Sequence, residues 1–161
     1  MQKGKVIALF IAPNTDDAVQ TQRAVHLAPN QGIVGDRYFL AQQSLAIDTQ
    51  LPRKEDITLI SADELDAFNT QFELNIPLGD FRRNIVTRGV DLNALVGKRF
   101  RVGNALCIGM ELCEPCRKLA RTVNSLVLPH LVHRAGIRAA VLRTGDVMGN
   151  DIIEELSAEV D

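Results

Sequence analysis

What most constrains this chain is its rhythm of short apolar runs cut apart by Gly, Asn and Asp. Runs near 5–12, 22–28, 57–60, 82–88, 98–103, 105–112, 136–143 and 151–156 read as strands. A lone strand leaves a row of unpaired backbone groups at its edge. Many closely spaced strands with few long helical patterns must therefore close into a barrel or stack as a sandwich. The expected fold class is mainly β with a few short helices, an α+β arrangement around a barrel-like sheet. With 161 residues and no linker or repeat, the chain reads as one domain over 1–161, its core spanning about 5–156.

One helix start is well marked. Ser61-Ala62-Asp63-Glu64 has the Ser-x-x-Glu form of a capping box, in which each side chain satisfies a backbone N–H of the other residue. Leu65, Phe68 and Phe72 then fall on one helical face, so an amphipathic helix is expected to about Phe72. A shorter helix is expected after Cys116, where Leu119 and Val123 stand i, i+4. The segment 39–56 reads as a long polar loop, and the acidic end (Asp151, Glu154, Glu155, Glu159, Asp161) as a solvated face.

Charge narrows the function classes. Lys and Arg total 18 against 20 Asp and Glu, a formal net charge of −2, which lacks the cationic surplus of a non-specific nucleic-acid binder. Aromatic residues are 4% with no Trp, a poor supply for base stacking. Lys3 and Lys5 precede the apolar run Val6–Ala12, but this ends at Pro13-Asn14 without a small-x-small cleavage pattern and is read as a buried first strand. No stretch is long enough to span a bilayer. The expected setting is cytoplasmic, with a small-molecule substrate, no nucleic acid and no membrane. Cys107, Cys113 and Cys116 are odd in number and clustered, which points to metal, redox or catalytic chemistry rather than a disulfide framework.

Three constellations could carry that chemistry. In Gly32-Ile33-Val34-Gly35-Asp36-Arg37-Tyr38, two glycines allow positive φ or close backbone approach, and Arg37 offers a planar fork for phosphate or carboxylate. The plainer alternative is a tight turn with Asp36 and Arg37 paired at the surface. In Phe81-Arg82-Arg83-Asn84-Ile85-Val86-Thr87, a strand would put Arg82, Asn84 and Val86 on one face and Arg83, Ile85 and Thr87 on the other. The first face could hold an anion and a hydrogen-bonding ring; the alternative is a charged edge strand. In Leu112-Cys113-Glu114-Pro115-Cys116-Arg117-Lys118, a helix start and two cations after Cys116 favour its thiolate, a soft metal ligand, nucleophile or persulfide carrier. The alternative is a partly buried structural Cys. Cys113-x2-Cys116 followed by His130-x2-His133 also approaches a zinc-site spacing, although Pro129 interrupts a finger helix and the His pair is one residue short.

The order of these pieces resembles a MOSC domain, the domain named after the C-terminal part of molybdenum cofactor sulfurases. The residues that carry the resemblance are Gly-Ile-x-Gly-Asp-Arg at 32–37, Phe-Arg-x-Asn-Ile-x-x-x-Gly at 81–89 and Leu-Cys-x-Pro-Cys at 112–116. The run His133–Leu142 followed by Gly145-Asp146 adds to them. The resemblance implies a MOSC-type, barrel-like mixed sheet that binds the molybdenum cofactor (molybdopterin). It implies Cys116 as the catalytic metal ligand, with Arg37, Arg82, Asn84, Thr87 and Arg117 around the pterin and its phosphate. It further implies reduction of N-hydroxylated compounds with a separate electron-transfer partner. The alternatives are a sulfur carrier or cofactor-delivery protein with a Cys116 persulfide supplied by a sulfur-donor partner, or a zinc-stabilised binding module. Arg83 and Cys113 depart from the family pattern; Cys113 could pair with Cys116.

Overall fold

In the computed structural model, which describes residues 1–43 and 52–158, the strands form a closed ring. The strands are β1 (Lys3–Ile11), β2 (Gln20–Gln22), β3 (Ala24–Ala28), β4 (Gly32–Ile33), β5 (Ile57–Ser61) and β6 (Ile85–Arg88). β7 (Arg99–Val102), β8 (Ala105–Leu112), β9 (Ile137–Arg143), β10 (Gly145–Met148) and β11 (Ile152–Glu155) follow. Around the barrel the order is β11-β7-β8-β9-β5-β6-β1, closed by pairing of β1 with β11, and β2 adds to β1 outside the ring. β5 and β6 run parallel; the other barrel pairs are antiparallel, so the sheet is mixed. β10-β3-β4 form a small second sheet. Closure removes the edges that so many short strands would otherwise expose.

The core lies on both sides of the barrel wall. Inside, Val6, Leu9, Leu59, Ile85, Phe100 and Ile137 pack with Leu27, Ile33 and Val147 of the small sheet. Outside, Ile60, Val86 and Phe10 are covered by Leu65 and Phe68 of α2 (Ala62–Gln71), by Leu119 of α3 (Arg117–Thr122) and by Val127 of α4 (Val127–His130). β5 is therefore buried at every position, which is why Ile57-Thr58-Leu59-Ile60 is almost continuously apolar instead of alternating. The Ser61 hydroxyl oxygen accepts from the Glu64 N–H at 3.3 Å, the cap expected for α2, while the Glu64 carboxylate lies 3.9 Å from Arg134. Among the described residues no helix is long and apolar enough to cross a membrane.

Several expectations are corrected. β6 begins only at Ile85; Arg82 closes the 3₁₀ turn Leu78–Phe81 at φ 62, so alternation along a strand does not orient Arg82 and Asn84. Residues 39–43 are not loop but part of α1 (Arg37–Gln43), and the loop expected across 44–51 lies outside the described residues. The run 22–28 breaks at Arg23 into the end of β2 and β3. Glu154 and Glu155 lie in β11, paired with Arg101 and Lys98, whereas Glu159 and Asp161 lie outside the described residues.

Candidate functional site

The site is built on the outer face of the barrel. In β9, Ile137 and Ala139 point into the core, so Arg138 between them points outward. Arg138 is in register with Thr58 of β5, and Thr58 is bonded to Asn84 at the entry to β6. The Asn84 side-chain oxygen accepts from the Thr58 N–H at 3.1 Å and from the Thr58 hydroxyl at 3.0 Å. Its amide donates to the Phe10 carbonyl at 3.2 Å. Asn84 thus ties β5, β6 and β1 together and is almost fully buried. The Asn84 side chain is thus engaged with Thr58 and Phe10, directly after Arg82 and Arg83.

The glycines of the first constellation are required by the backbone. Gly32 has φ +95, and a Cβ there would meet the Asp56 carbonyl oxygen at 2.4 Å; Gly35 has φ +89. This turn delivers Asp36 and Arg37 to the start of α1. Asp36 is buried and accepts from the Ala12 N–H at 2.9 Å. Arg37 lies 3.5 Å from the Asp36 carboxylate, yet its buried Nη1 makes no hydrogen bond among the described residues. The Arg37 guanidinium also covers the Tyr38 ring, 4.5 Å from its centre. The turn-with-ion-pair alternative is therefore present in part and leaves a cation under-used.

Tyr38 and Arg138 extend the cluster, and neither was singled out from sequence. The Tyr38 hydroxyl lies 3.5 Å from Arg37 Nη2, and Arg138 feels the same phenol. Burial works against the charge of Arg138, but Cys113 and Tyr38 beside it hold its guanidinium above the usual range. For Arg82 the balance is opposite: burial, then the nearby Arg37 charge, press it below the usual range. Arg37 and Arg82, far apart in sequence, are thus brought close enough to repel, which favours an anion between them. A signal for Arg138 existed, since it is the sole charge in Ile137–Leu142, a run otherwise apolar.

Arg83 connects this cluster to the cysteine loop. It donates to the Ala135 carbonyl at 3.0 Å and to the Cys113 carbonyl at 3.5 Å. Cys113 is buried beside Arg138, whereas Cys116 is exposed and caps α3, its Sγ accepting from the Leu119 N–H at 3.4 Å. Arg117, the first residue of α3, is exposed. Cys107 is buried inside the barrel, where desolvation and then Asp56 push its thiol up.

Thr87 and the candidate zinc ligands stand apart from this cluster. Thr87 shares the inner face of β6 with Ile85, is fully buried, and has a hydroxyl without a hydrogen-bond partner among the described residues. Thr87 therefore lies on the opposite face of the barrel wall from Arg138 and Thr58. The zinc arrangement fails for want of convergence. His130 stacks on Phe72 at 4.5 Å and His133 pairs with Glu114 at 2.8 Å, and no group of three metal-ligating side chains gathers among the described residues. A cavity of about 290 Å³ lies elsewhere, beside the α2 start and Gly89–Asn93, lined also by His133 and Arg134.

The MOSC domain profile matches residues 22–154. Among solved structures, the YuaD protein from Bacillus subtilis superimposes with TM-score 0.76 at 20% identity, covering 94% of this chain and 94% of that one. YiiM from Geobacillus stearothermophilus gives TM-score 0.71 at 12% identity, over 98% of this chain and 77% of that one. YiiM from Escherichia coli gives 0.64 at 18% identity, over 98% and 72%. No curated protein matches.

Proposed function

The chain belongs to the MOSC domain family, which is linked to molybdenum cofactor binding, and on that premise we propose that it holds this cofactor on the outer face of its barrel. The observation that carries the reading is the nearness of Arg37 and Arg82, with a buried Arg37 Nη1 that faces the Asp36 carboxylate at 3.5 Å but makes no hydrogen bond among the described residues. A pterin with a terminal phosphate needs guanidinium forks, and a molybdenum centre accepts a thiolate, so the residues present suit the group.

In this reading Arg37 and Arg82 hold the phosphate, Arg138 and Tyr38 hydrogen-bond the polar ring system, and Arg117 lies at the rim. Cys116 supplies the metal-binding thiolate because its sulfur is exposed and Cys113 is buried. Asn84 and Arg83 hold the two loops in place through backbone contacts. The chemistry supplied by the bound cofactor is two-electron removal of oxygen from an N-hydroxylated compound, with electrons from a separate partner protein.

The test is molybdenum content after expression in a host that makes the cofactor, together with reduction of an amidoxime by reduced viologen. Cys116→Ser loses the metal and the activity; Cys113→Ser keeps most of both. The reverse ranking would move the metal to Cys113. The exposure of Cys116 also favours a second reading, a sulfur carrier. That reading predicts a persulfide on Cys116 after treatment with a sulfur-donor protein, and no retained molybdenum.

A further inference from the structure

One of the two guanidiniums assigned to the anion is already engaged. Arg82 donates to the carbonyl of Thr15 at 2.8 Å, to that of Asp17, and lies 3.5 Å from that of Asn14. These three belong to the loop 12–19 between β1 and β2, which is folded on itself by an Asn14 amide bond to the Asp17 carboxylate at 2.7 Å. A second tie fastens the same loop to the helix that Cys116 caps: Lys118 Nζ donates to the Asp16 carboxylate at 2.7 Å. That bond, followed by the Lys118 charge, holds the Asp16 carboxyl below the usual range. The loop therefore spans from Arg82 to the start of α3 and presents to Arg82 the oxygen atoms that a phosphate would present.

Carbonyl oxygens are weaker partners for a guanidinium than the charged oxygens of a phosphate, which accept two parallel bonds. Loop and anion compete for the same donors, and the loop holds them when no anion is bound. Both members of the outer tie are solvated: the Asp16 side chain is 86% exposed and Lys118 50%, so the tie is weak and easily released.

We propose that residues 13–18 form a strap that occupies Arg82 as an internal stand-in for the anionic ligand and lifts when that ligand binds. This rests on the anion-binding reading of Arg37 and Arg82 given above. The strap lowers the apparent affinity in proportion to the fraction of molecules in which it is closed, and it admits ligands able to outbid three carbonyls.

The experiment is calorimetric titration of the cofactor-free full chain with inorganic pyrophosphate, on the native protein, Asp16→Asn and Lys118→Ala. If the strap operates, both substitutions tighten binding, by about two- to fivefold, the worth of an exposed ion pair. Charge alone predicts opposite signs, because Asp16→Asn removes a negative group and Lys118→Ala a positive one. Lys118→Ala therefore decides. Saturating pyrophosphate should also speed amide exchange at 14–17. Unchanged or weaker binding by Lys118→Ala, with native binding that is lost in Arg37→Ala, overturns the strap and leaves the anion site standing. Pyrophosphate binding that is absent, or indifferent to Arg37→Ala, overturns both.

Discussion

At the residue scale, uncharged polar groups anchor the segments that carry the candidate arginines. Asn84 exchanges hydrogen bonds with Thr58 and reaches Phe10 across the β5–β6–β1 wall, all away from solvent. Replacing it with Ala removes the acceptor of the Thr58 N–H and of the Thr58 O–H and the donor to the Phe10 carbonyl, while the backbone N–H at 84 still donates to the Thr58 hydroxyl oxygen. The expected cost is about 2–4 kcal/mol by urea unfolding, since each buried orphan costs about 1–3 kcal/mol with some relaxation. A surface ligand-binding residue would cost almost nothing on truncation, so an unchanged midpoint would return Asn84 to the ligand. Tyr38 and Arg138 show the limit of reading residues singly. Each is ordinary in its own segment, and the influence of Tyr38 on Arg138 arises between residues a hundred positions apart.

At the element scale, local signals were legible where they were written in side chains. The Ser61 cap, the Leu65 and Phe68 face, and the helix after Cys116 follow from patterns within a few residues. Elements specified by backbone geometry were not legible. β4 is two residues long, and its existence depends on Gly32 fitting against the Asp56 carbonyl. Gly32→Ala combines a strained φ with a 2.4 Å approach to backbone, so it should destabilise the protein by more than about 1 kcal/mol. An unshifted melting curve would contradict that packing. The 3₁₀ turn before β6 is the other case. Arg82 in the left-handed region breaks the strand alternation that the sequence suggests.

At the scale of the whole molecule, Asp56 fastens distant parts together. Its buried carboxylate accepts from the Val141 N–H at 3.0 Å, the Asn30 N–H at 3.2 Å and Arg53 at 3.1 Å, joining β9 to the turn after β3. Burial nevertheless outweighs these bonds and raises its carboxyl above the usual range. The folded state therefore holds this proton more tightly than the unfolded chain does. Stability contributed at this site falls as pH rises from the ordinary carboxylate range through the raised value. Compared with Asp56→Asn, the native protein should lose relative stability across that window in urea titrations at stepped pH. A relative gain with rising pH would reverse the assignment.

By itself the sequence determined the class of fold and the candidate chemistry. Apolar runs between turn residues demand many paired strands, and Arg37, Arg82 and Cys116 are visible by residue type and order alone. Ring closure, the inward turn of Thr87, the commitment of Asn84 to backbone, and the capture of Arg82 by the 12–19 loop were decided only by tertiary structure. The physical reason is the same in each case. Which face a side chain occupies, and which partner reaches it first, depends on strand register and on backbone groups tens of residues away.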